Sequence, residues 1–482
     1  MLEMQKKLSK TFYVILSLPA TAMGFALSVQ ISALSWILTT KYGLEIHDVG
    51  LVWAAGPIAG ILGQIIFGII SDNVWFWGGR RRPFIIIGGV LASLALLALP
   101  NIDVISASLG FEGILGVAVA VALSLDLAIN VGFNPTRSII ADVTPEGVER
   151  TKGYTWMQTI SGTFGVLAYV IGAVWNNYVL IYSGVVLVFA LSVFPPFFIE
   201  EPRSLSTDDE KSKSKTKTPF VEILNDIRPL WGFLLYAVYA ITARLLGYET
   251  NQYAIYVTIA VTFYFIFETL VKKESGRSET EAGRIGFRKV LAAHSFTWIG
   301  VQTMFVYMYA YVQYKVYGFS EGAVIPSQTQ VEMGRIVSVS FLILNAVGAI
   351  LPAFVLEPIA RKIGRVRTHT YSIVIMALGY AGLLFFGFSP GVIYVMMAVL
   401  GIGWASTISL PFAIMSQKVA QSKMGLYMGL FNLSVVLPQL VASFGVGEAV
   451  SSSPDKSLIF IIATVSLGVS SVLWFMVKEE KN

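Results

Sequence analysis

The chain is built from long apolar runs. About fourteen of them, each near twenty residues, fall at roughly 12–38, 48–71, 83–100, 111–136, 154–175, 178–198, 230–247, 252–271, 289–313, 336–358, 370–388, 390–415, 424–446 and 457–477. A twenty-residue helix is about 30 Å long, the thickness of a bilayer's hydrocarbon core. Within lipid a backbone N–H or C=O finds no water to pair with, so such runs read as helices. Strands of a membrane barrel would alternate apolar and polar residues, and these runs do not. Only 13% of the residues are charged, against about 25% in soluble domains. The expected fold class is an all-α membrane protein.

Lys and Arg orient the spans, because cytoplasmic loops carry the excess. With the N-terminus inside, 29 of the 34 Lys and Arg fall in inner segments. That expectation puts both termini in the cytoplasm and the chain in the cytoplasmic (inner) membrane. The opening MLEMQKKLSK leads into the first of many spans, so it reads as the start of an uncleaved helix. With no cysteine there is no disulfide, thiolate metal site or thiol nucleophile. His47, His294 and His369 are not at metal-ligand spacing. No Walker A sequence occurs, which argues against ATP drive. The net charge of +5 is spread over loops, which gives no nucleic-acid signal. No nucleophile–base constellation points to an enzyme.

Polar stretches divide the chain. EEPRSLSTDDEKSKSKTKTP, from Glu200 to Pro219, reads as a cytoplasmic linker. The expected layout is six spans over 1–200, a linker over 201–228, an inserted two-span hairpin over 229–271, a second linker over 272–288 and six spans over 289–482. The two sixes resemble each other. SDNVWFWGGRRRPF follows the second span, and LEPIARKIGRVRTH follows its counterpart. Both place an acid and then basic residues in an inner loop. GFNPTRSIIADVTPEGVERTKGYTWMQ likewise pairs with SLPFAIMSQKVAQSKMGLYMGLFN. Two related six-helix bundles are the signature of a major facilitator fold, in which substrate binds between halves that rock about it. A monomer suffices for that cycle.

Several motifs sharpen this. Asp72 is followed seven residues later by Gly79, Arg80, Arg81, Arg82, Pro83 and Phe84. LDLAINVGFNPTRSIIAD (Leu125 to Asp142), FTWIGVQTMFVYMYAYV (Phe296 to Val312), ISLPFAIMS (Ile408 to Ser416) and GLYMGLFNLSVVLPQLVAS (Gly425 to Ser443) occupy spans of both halves. Together they resemble the plant sucrose transporters and their bacterial and animal relatives. The resemblance implies a proton symporter for an α-glucoside such as sucrose or maltose, with the proton as coupling ion and no other cofactor. Two departures stand out. YAYVQYKVYG (Tyr309 to Gly318) lacks the acid that plant members carry after the seventh helix, and the inserted hairpin has no counterpart.

Asp126 lies mid-span with no base nearby in sequence. A carboxylate at the bilayer centre costs about 3 kcal/mol or more, so it must be protonated, paired or turned to a wet cavity. A group that exchanges a proton there is what proton coupling needs. Asn130 follows one turn on, on the same face, and Arg137 about three turns on. In the family the Asp matching Asp126 couples protons and touches sugar, and the Arg matching Arg137 is required. Arg137 either pairs with Asp126 as the cavity closes or anchors the helix end. Asp142 reads as a partner for the basic loops. Gln30, Gln64, Gln158, Gln302, Asn432 and Gln439 offer hydrogen bonds to a sugar, and Trp53, Trp156, Trp298, Tyr307 and Trp404 offer apolar faces. Gln30, Gln158, Trp298 and Asn432 lead, since they fall on cavity-lining helices of this fold. Asp72, Gly79, Arg80, Arg81 and Arg82, repeated as Glu357 and Arg365, read as a duplicated inner latch; the alternative is a topology signal alone.

Overall fold

The computed structural model describes residues 2–60, 70, 74–110, 113–145, 148–203, 220–248, 250–320, 322–419 and 424–479. The described residues are helical, apart from short turns and one isolated β-bridge. They form two compact units, one of Met1–Lys213 with Phe319–Leu342, the other of Ser214–Gly318 with Ile343–Asn482.

In the first unit, α1 (Lys10–Thr40), α2 (Ile46–Trp53), α3 (Arg82–Ala98), α4 (Leu115–Val143), α5 (Val148–Val174) and α6 (Asn177–Val193) follow one another. Helix α1 packs on α4, α5 and α6, and α3 on α4 and α6. Phe12, Leu16, Ile85, Ile139, Ile140, Met157 and Ile199 form one buried cluster. Lipid gives helices no hydrophobic reason to associate, so close backbone approach matters. A Cβ on Gly88 would stand 2.9 Å from the Ala128 carbonyl oxygen and 2.9 Å from Gly132 N, which shows how tightly α3 meets α4. Part of a later helix completes the unit. In α11 (Ser327–Leu351) the Ser338 hydroxyl meets Ser32 Oγ at 2.9 Å and donates to Asn177 Oδ1 at 3.1 Å. Trp36 Nε1 donates to the Gln330 carbonyl at 3.0 Å.

The second unit contains α7 (Phe220–Asp226), α8 (Trp231–Leu245), α9 (Gln252–Val271), α10 (Glu279–Tyr311), the end of α11, α12 (Arg365–Phe386), α13 (Pro390–Ser416), α14 (Met424–Leu440) and α15 (Leu458–Phe475). Helix α12 packs on α13 and α15, and α10 on α14 and α15. Pro438 in α14 cannot donate a backbone bond, and a π-helical stretch, Val441–Val446, follows it. The Tyr307 hydroxyl lies 3.2 Å from the Ala442 carbonyl and 3.0 Å from that of Ser443. A side chain thus supplies the irregular turn with a donor, as buried backbone in lipid requires.

Among the described residues, eleven helices are long and apolar enough to cross a membrane. Three of the fourteen expected spans are not among them, each for its own reason. The run at 48–71 is described only in part. Helix α8 has 15 residues, fewer than the roughly 17–25 of a typical span. Helix α10 is 33 residues long but buries Lys289, His294, Ser295, Thr297, Gln302 and Thr303, so its hydropathy is low. Polar groups on an inner face are how membrane bundles are glued together.

The inserted hairpin belongs to the second unit, and it and the helix α7 that leads into it are fastened there at two places. Asp226, with a side chain 1% exposed, accepts from Arg284 Nε at 2.9 Å, Arg288 Nη2 at 3.2 Å and the Tyr427 hydroxyl at 2.9 Å. The second fastening lies at the end of α8 and just beyond it. Thr250 Oγ1 donates to Glu448 Oε1 at 2.7 Å, and the Arg244 guanidinium lies over the Phe444 ring at 4.4 Å.

Candidate coupling and substrate sites

Asp126 sits near the middle of α4 and is 7% exposed. Its carboxylate accepts a hydrogen bond from Gln30 Nε2 of α1 at 3.0 Å. Gly56 borders it: a Cβ there would stand 3.4 Å from both carboxylate oxygens. Among the described residues no cation lies within ion-pair distance of Asp126. Gln30 is 2% exposed, and its Oε1 has no hydrogen-bond partner among the described residues. A primary amide offers two donors on nitrogen and an acceptor on oxygen. Gln30 therefore presents a donor to an ionised Asp126 and holds a free acceptor for an acid proton or a sugar hydroxyl.

The other expected members spread out. Asn130 Nδ2 donates to the Asp126 backbone carbonyl at 2.8 Å. Arg137 does not reach Asp126. Eleven residues of α-helix separate them by about 16 Å, and the guanidinium lies over the Phe133 ring at 4.3 Å. Of the two sequence readings of Arg137, the geometry is that of a helix-end group. Gln158 is exposed on α5, and Asn432 is half-buried on α14. Gln64 and Asp72 lie outside the described residues.

The second unit holds an aromatic group around Trp298. Its indole N–H donates to His294 Nε2 at 2.9 Å, and its ring meets Trp404 edge-on at 6.2 Å. Trp404 Nε1 donates to Asn345 Oδ1 at 3.2 Å, and Trp404 also meets Phe305 at 5.4 Å. Gln439 Nε2 donates to Gln302 Oε1 at 3.1 Å, so these two amides join α14 to α10. Lys315, in the stretch Tyr309 to Gly318, pairs with Asp455 at 3.1 Å. The Ser457 backbone N–H, together with Lys315, holds the Asp455 carboxyl below the usual range.

Of the expected latch, Asp72 lies outside the described residues, and the glycine and arginines are seen with a partner the sequence reading did not include. Trp77 (φ 51°) and Gly78 (φ 75°) form a tight turn closed by two backbone bonds between Phe76 and Gly79. Positive φ at both central residues is the signature of a type I′ turn. The chain then enters α3. Its first N–H groups, which a helix leaves unpaired, are capped by Glu201 from beyond α6. The Glu201 carboxylate accepts from Arg80 N, Arg81 N and Arg82 N at 2.8, 2.8 and 2.7 Å. Gly79 makes room, since a Cβ there would fall 2.4 Å from Glu201 Oε1. The Arg81 side chain pairs with Asp142 at 3.0 Å, both nearly buried, as expected of Asp142. The Arg82 guanidinium covers Phe197.

The second unit repeats the device. Glu479, beyond α15, accepts from Arg365 N and Val366 N, each at 2.8 Å, at the start of α12. Gly364 (φ +95°) has no room for a Cβ, which would fall 2.5 Å from the Glu479 carboxyl. Glu357, the acid expected to repeat Asp72, is not seen against Arg365 among the described residues. It pairs at 2.6 Å with Arg361 on its own helix, and both are exposed, an arrangement worth about 0–1 kcal/mol. The repeat is Gly79/Glu201 and Gly364/Glu479. Its trace in the sequence is a Glu-Glu pair after the sixth span of each half, Glu200–Glu201 and Glu479–Glu480.

A prediction follows from the shared carboxylate. Glu201→Gln or Glu479→Gln should each lower stability by about 1–2 kcal/mol, the worth of a cap plus its interaction with the helix dipole. Gly79→Ala should do the same by pushing Glu201 aside. Thermal unfolding of the detergent-purified protein should then show Gly79→Ala and Glu201→Gln to be non-additive. Simple additivity would separate the two residues.

Comparison with known proteins accords with this architecture. The sequence profile described as Major Facilitator Superfamily matches residues 16–443. A sucrose transport protein of Arabidopsis thaliana (SUC4) is 24% identical over 470 residues, covering 92% of this chain and 85% of its own. One from Oryza sativa subsp. indica (SUT2) is 26% identical over 478 residues, covering 89% and 84%. A general alpha-glucoside permease of Schizosaccharomyces pombe is 29% identical over 174 residues, 32% of this chain and 31% of its own. Among solved structures, the xylose transporter XylE from E. coli superposes with a TM-score of 0.62 at 14% identity, covering 98% of this chain and 97% of that one. The nucleoside transporter NupG gives 0.64 at 12% identity, covering 97% and 100%. These likenesses show the fold, and the profile spans most of the chain. The protein belongs to the Major Facilitator Superfamily and is a membrane transporter, not an enzyme.

Proposed function

We propose that the protein imports an α-glucoside disaccharide, sucrose or maltose-like, by proton symport with alternating access. The proposal includes fourteen crossings, both termini in the cytoplasm and residence in the cytoplasmic membrane. The sugar class rests on the chain's likeness to sucrose transport proteins and an alpha-glucoside permease. The single observation that carries proton coupling is Asp126, a buried carboxylate whose side-chain partner is the neutral amide of Gln30. An intramembrane carboxylate without a cation is tolerable when it can take up a proton. The Gln30 amide can meet either state, donating from Nε2 to the ion or accepting at Oε1 from the acid.

A sugar binds through hydrogen bonds to its hydroxyls and through apolar faces against its ring. In the first unit Gln30, Asp126, Asn130 and Gln158 are the proposed hydrogen-bonding residues; in the second, taken by itself, Trp298 is the proposed apolar face and Asn432 a further amide. Arg137 serves as an inner-end group of α4. Sodium coupling is the alternative. A sodium site needs several hard oxygen ligands, and among the described residues one carboxylate with one amide oxygen is a sparse set. The test is uptake by proteoliposomes of labelled sucrose, maltose and other disaccharides under an imposed pH or sodium gradient. Accumulation should follow the pH gradient for at least one α-glucoside. Accumulation driven by sodium alone, or none of any disaccharide, would overturn the reading.

A further inference from the structure

The core of the second unit buries two histidines that sugar binding does not itself explain. His294 on α10 is 1% exposed and His369 on α12 is 0% exposed. Both imidazoles stand edge-on to the indole of Trp474 on α15, with ring centroids 6.4 Å away for His294 and 4.4 Å for His369. Phe431 stacks on His294 at 4.8 Å. Three polar atoms of this group have no hydrogen-bond partner among the described residues: His294 Nδ1, His369 Nε2 and Trp474 Nε1.

Their chemistry is fixed by the partners they do have. Trp298 Nε1 can only donate, so His294 Nε2, 2.9 Å away, must accept. A neutral imidazole carries one N–H, which then sits on Nδ1, the unpartnered atom. Trp474 Nε1 is also a donor only. The group therefore presents two donors and one remaining ring nitrogen. His369 Nδ1 faces Ser406 Oγ at 2.7 Å. If that nitrogen donates to Ser406, His369 Nε2 is left as an acceptor. If it instead accepted, Nε2 would become a third donor.

Two donors and one acceptor match one water molecule, which accepts two hydrogen bonds and donates a third; three donors would exceed its two lone pairs. Buried waters typically make about three such bonds to otherwise unsatisfied groups. We infer that a single water bridges His294 Nδ1, Trp474 Nε1 and His369 Nε2. It locks both histidines as neutral Nδ1–H tautomers and makes His294 the positioning residue for Trp298. A continuous hydrogen-bonded chain then runs from Trp298 through His294, the water and His369 to Ser406, tying α10, α12, α13 and α15 around the indole. The functional half of this inference rests on the reading of Trp298 as a sugar-contacting ring.

The protein has three histidines, so nitrogen-15 spectra of histidine-labelled protein in liposomes resolve each, with His294→Phe and His369→Phe assigning the signals. Both buried rings should be neutral with the proton on Nδ1, and each should show a cross-peak to water. An Nε2–H tautomer or a charged ring at either position, or no water contact, overturns the bridge.

Transport of labelled sucrose or maltose tests the positioning role. His294→Phe should raise KM about tenfold with little change in maximal rate, the pattern of lost uniform binding. His294→Gln, which restores an acceptor for Trp298, should recover most of that loss. A KM unchanged in His294→Phe, when Trp298→Phe raises it, defeats the positioning role alone. A KM unchanged in Trp298→Phe defeats the reading of Trp298, while the tautomer result stands or falls separately.

Discussion

Asp126→Asn should abolish pH-driven sugar accumulation in proteoliposomes while the protein still folds and inserts. The substitution is close to isosteric. Its Oδ1 can still accept from Gln30 Nε2, the contact now at 3.0 Å, and Gly56 still leaves the group uncrowded. What disappears is the exchangeable proton. An amide cannot be loaded on one side of the membrane and emptied on the other, so uptake should fall to equilibration. Counterflow of labelled sugar, which needs no net proton movement, then separates lost coupling from lost binding. Gln30→Leu is the informative companion. It leaves the carboxylate without its donor, and an unpaired buried charge is costly, so proton release from Asp126 should slow and transport with it, while the accumulation that remains still follows the pH gradient. Normal pH-driven accumulation by Asp126→Asn would sink the coupling assignment.

Which parts of this were visible in the amino-acid order, and why, can be read from individual residues. The apolar runs required helices, because lipid leaves backbone no other option. Asp126 stood out because a lone acid in such a run is expensive, and the basic loops set the expected orientation. The Gln30 contact was only half visible. The sequence marks Gln30 as a polar residue on a lining helix, but its partner lies 96 positions away, and nothing local links them. The contacts of Glu201 and Glu479 were hidden for the same reason. Asp72 and Glu357 are near the basic clusters in sequence, whereas Glu201 and Glu479 reach them only after the fold closes, 119 and 114 positions on. Local charge patterning favours the neighbour; backbone N–H groups at a helix start take whichever carboxylate the fold delivers. Arg137 shows the converse limit. Shared helix phase aligns it with Asp126, but phase does not shorten the axial rise of 1.5 Å per residue.

Asp226→Ala should be the most damaging change outside the transport site. Asp226, at the end of α7 just before the inserted hairpin, is buried to 1% exposure between two guanidiniums and the Tyr427 hydroxyl. Removing one partner from a buried ion group commonly costs about 3–5 kcal/mol, because the charges left behind are uncompensated. Here the low end, about 3 kcal/mol, applies, since Arg284 and Arg288 retain 26% and 14% exposure and can turn toward water. Asp226→Asn should be nearly as harmful, as an amide N–H would then face two cations. Arg277→Ala is the control. Its pairing with Glu281 is over half exposed on both sides, and its loss should not be measurable. Thermal unfolding of the purified protein decides the matter, and equal midpoints for Asp226→Ala and Arg277→Ala would defeat it. The consequence reaches beyond the hairpin. Tyr427 lies on α14, and Glu448, the hairpin's other anchor, lies in Gly447–Ser451 past the π-helical break after Pro438. The insertion therefore grips one interrupted helix on both sides of its weak point. Loosening the Asp226 end should raise hydrogen exchange first at Val441–Val446, where the ladder is irregular, before it reaches the well-paired turns of α12 or α15.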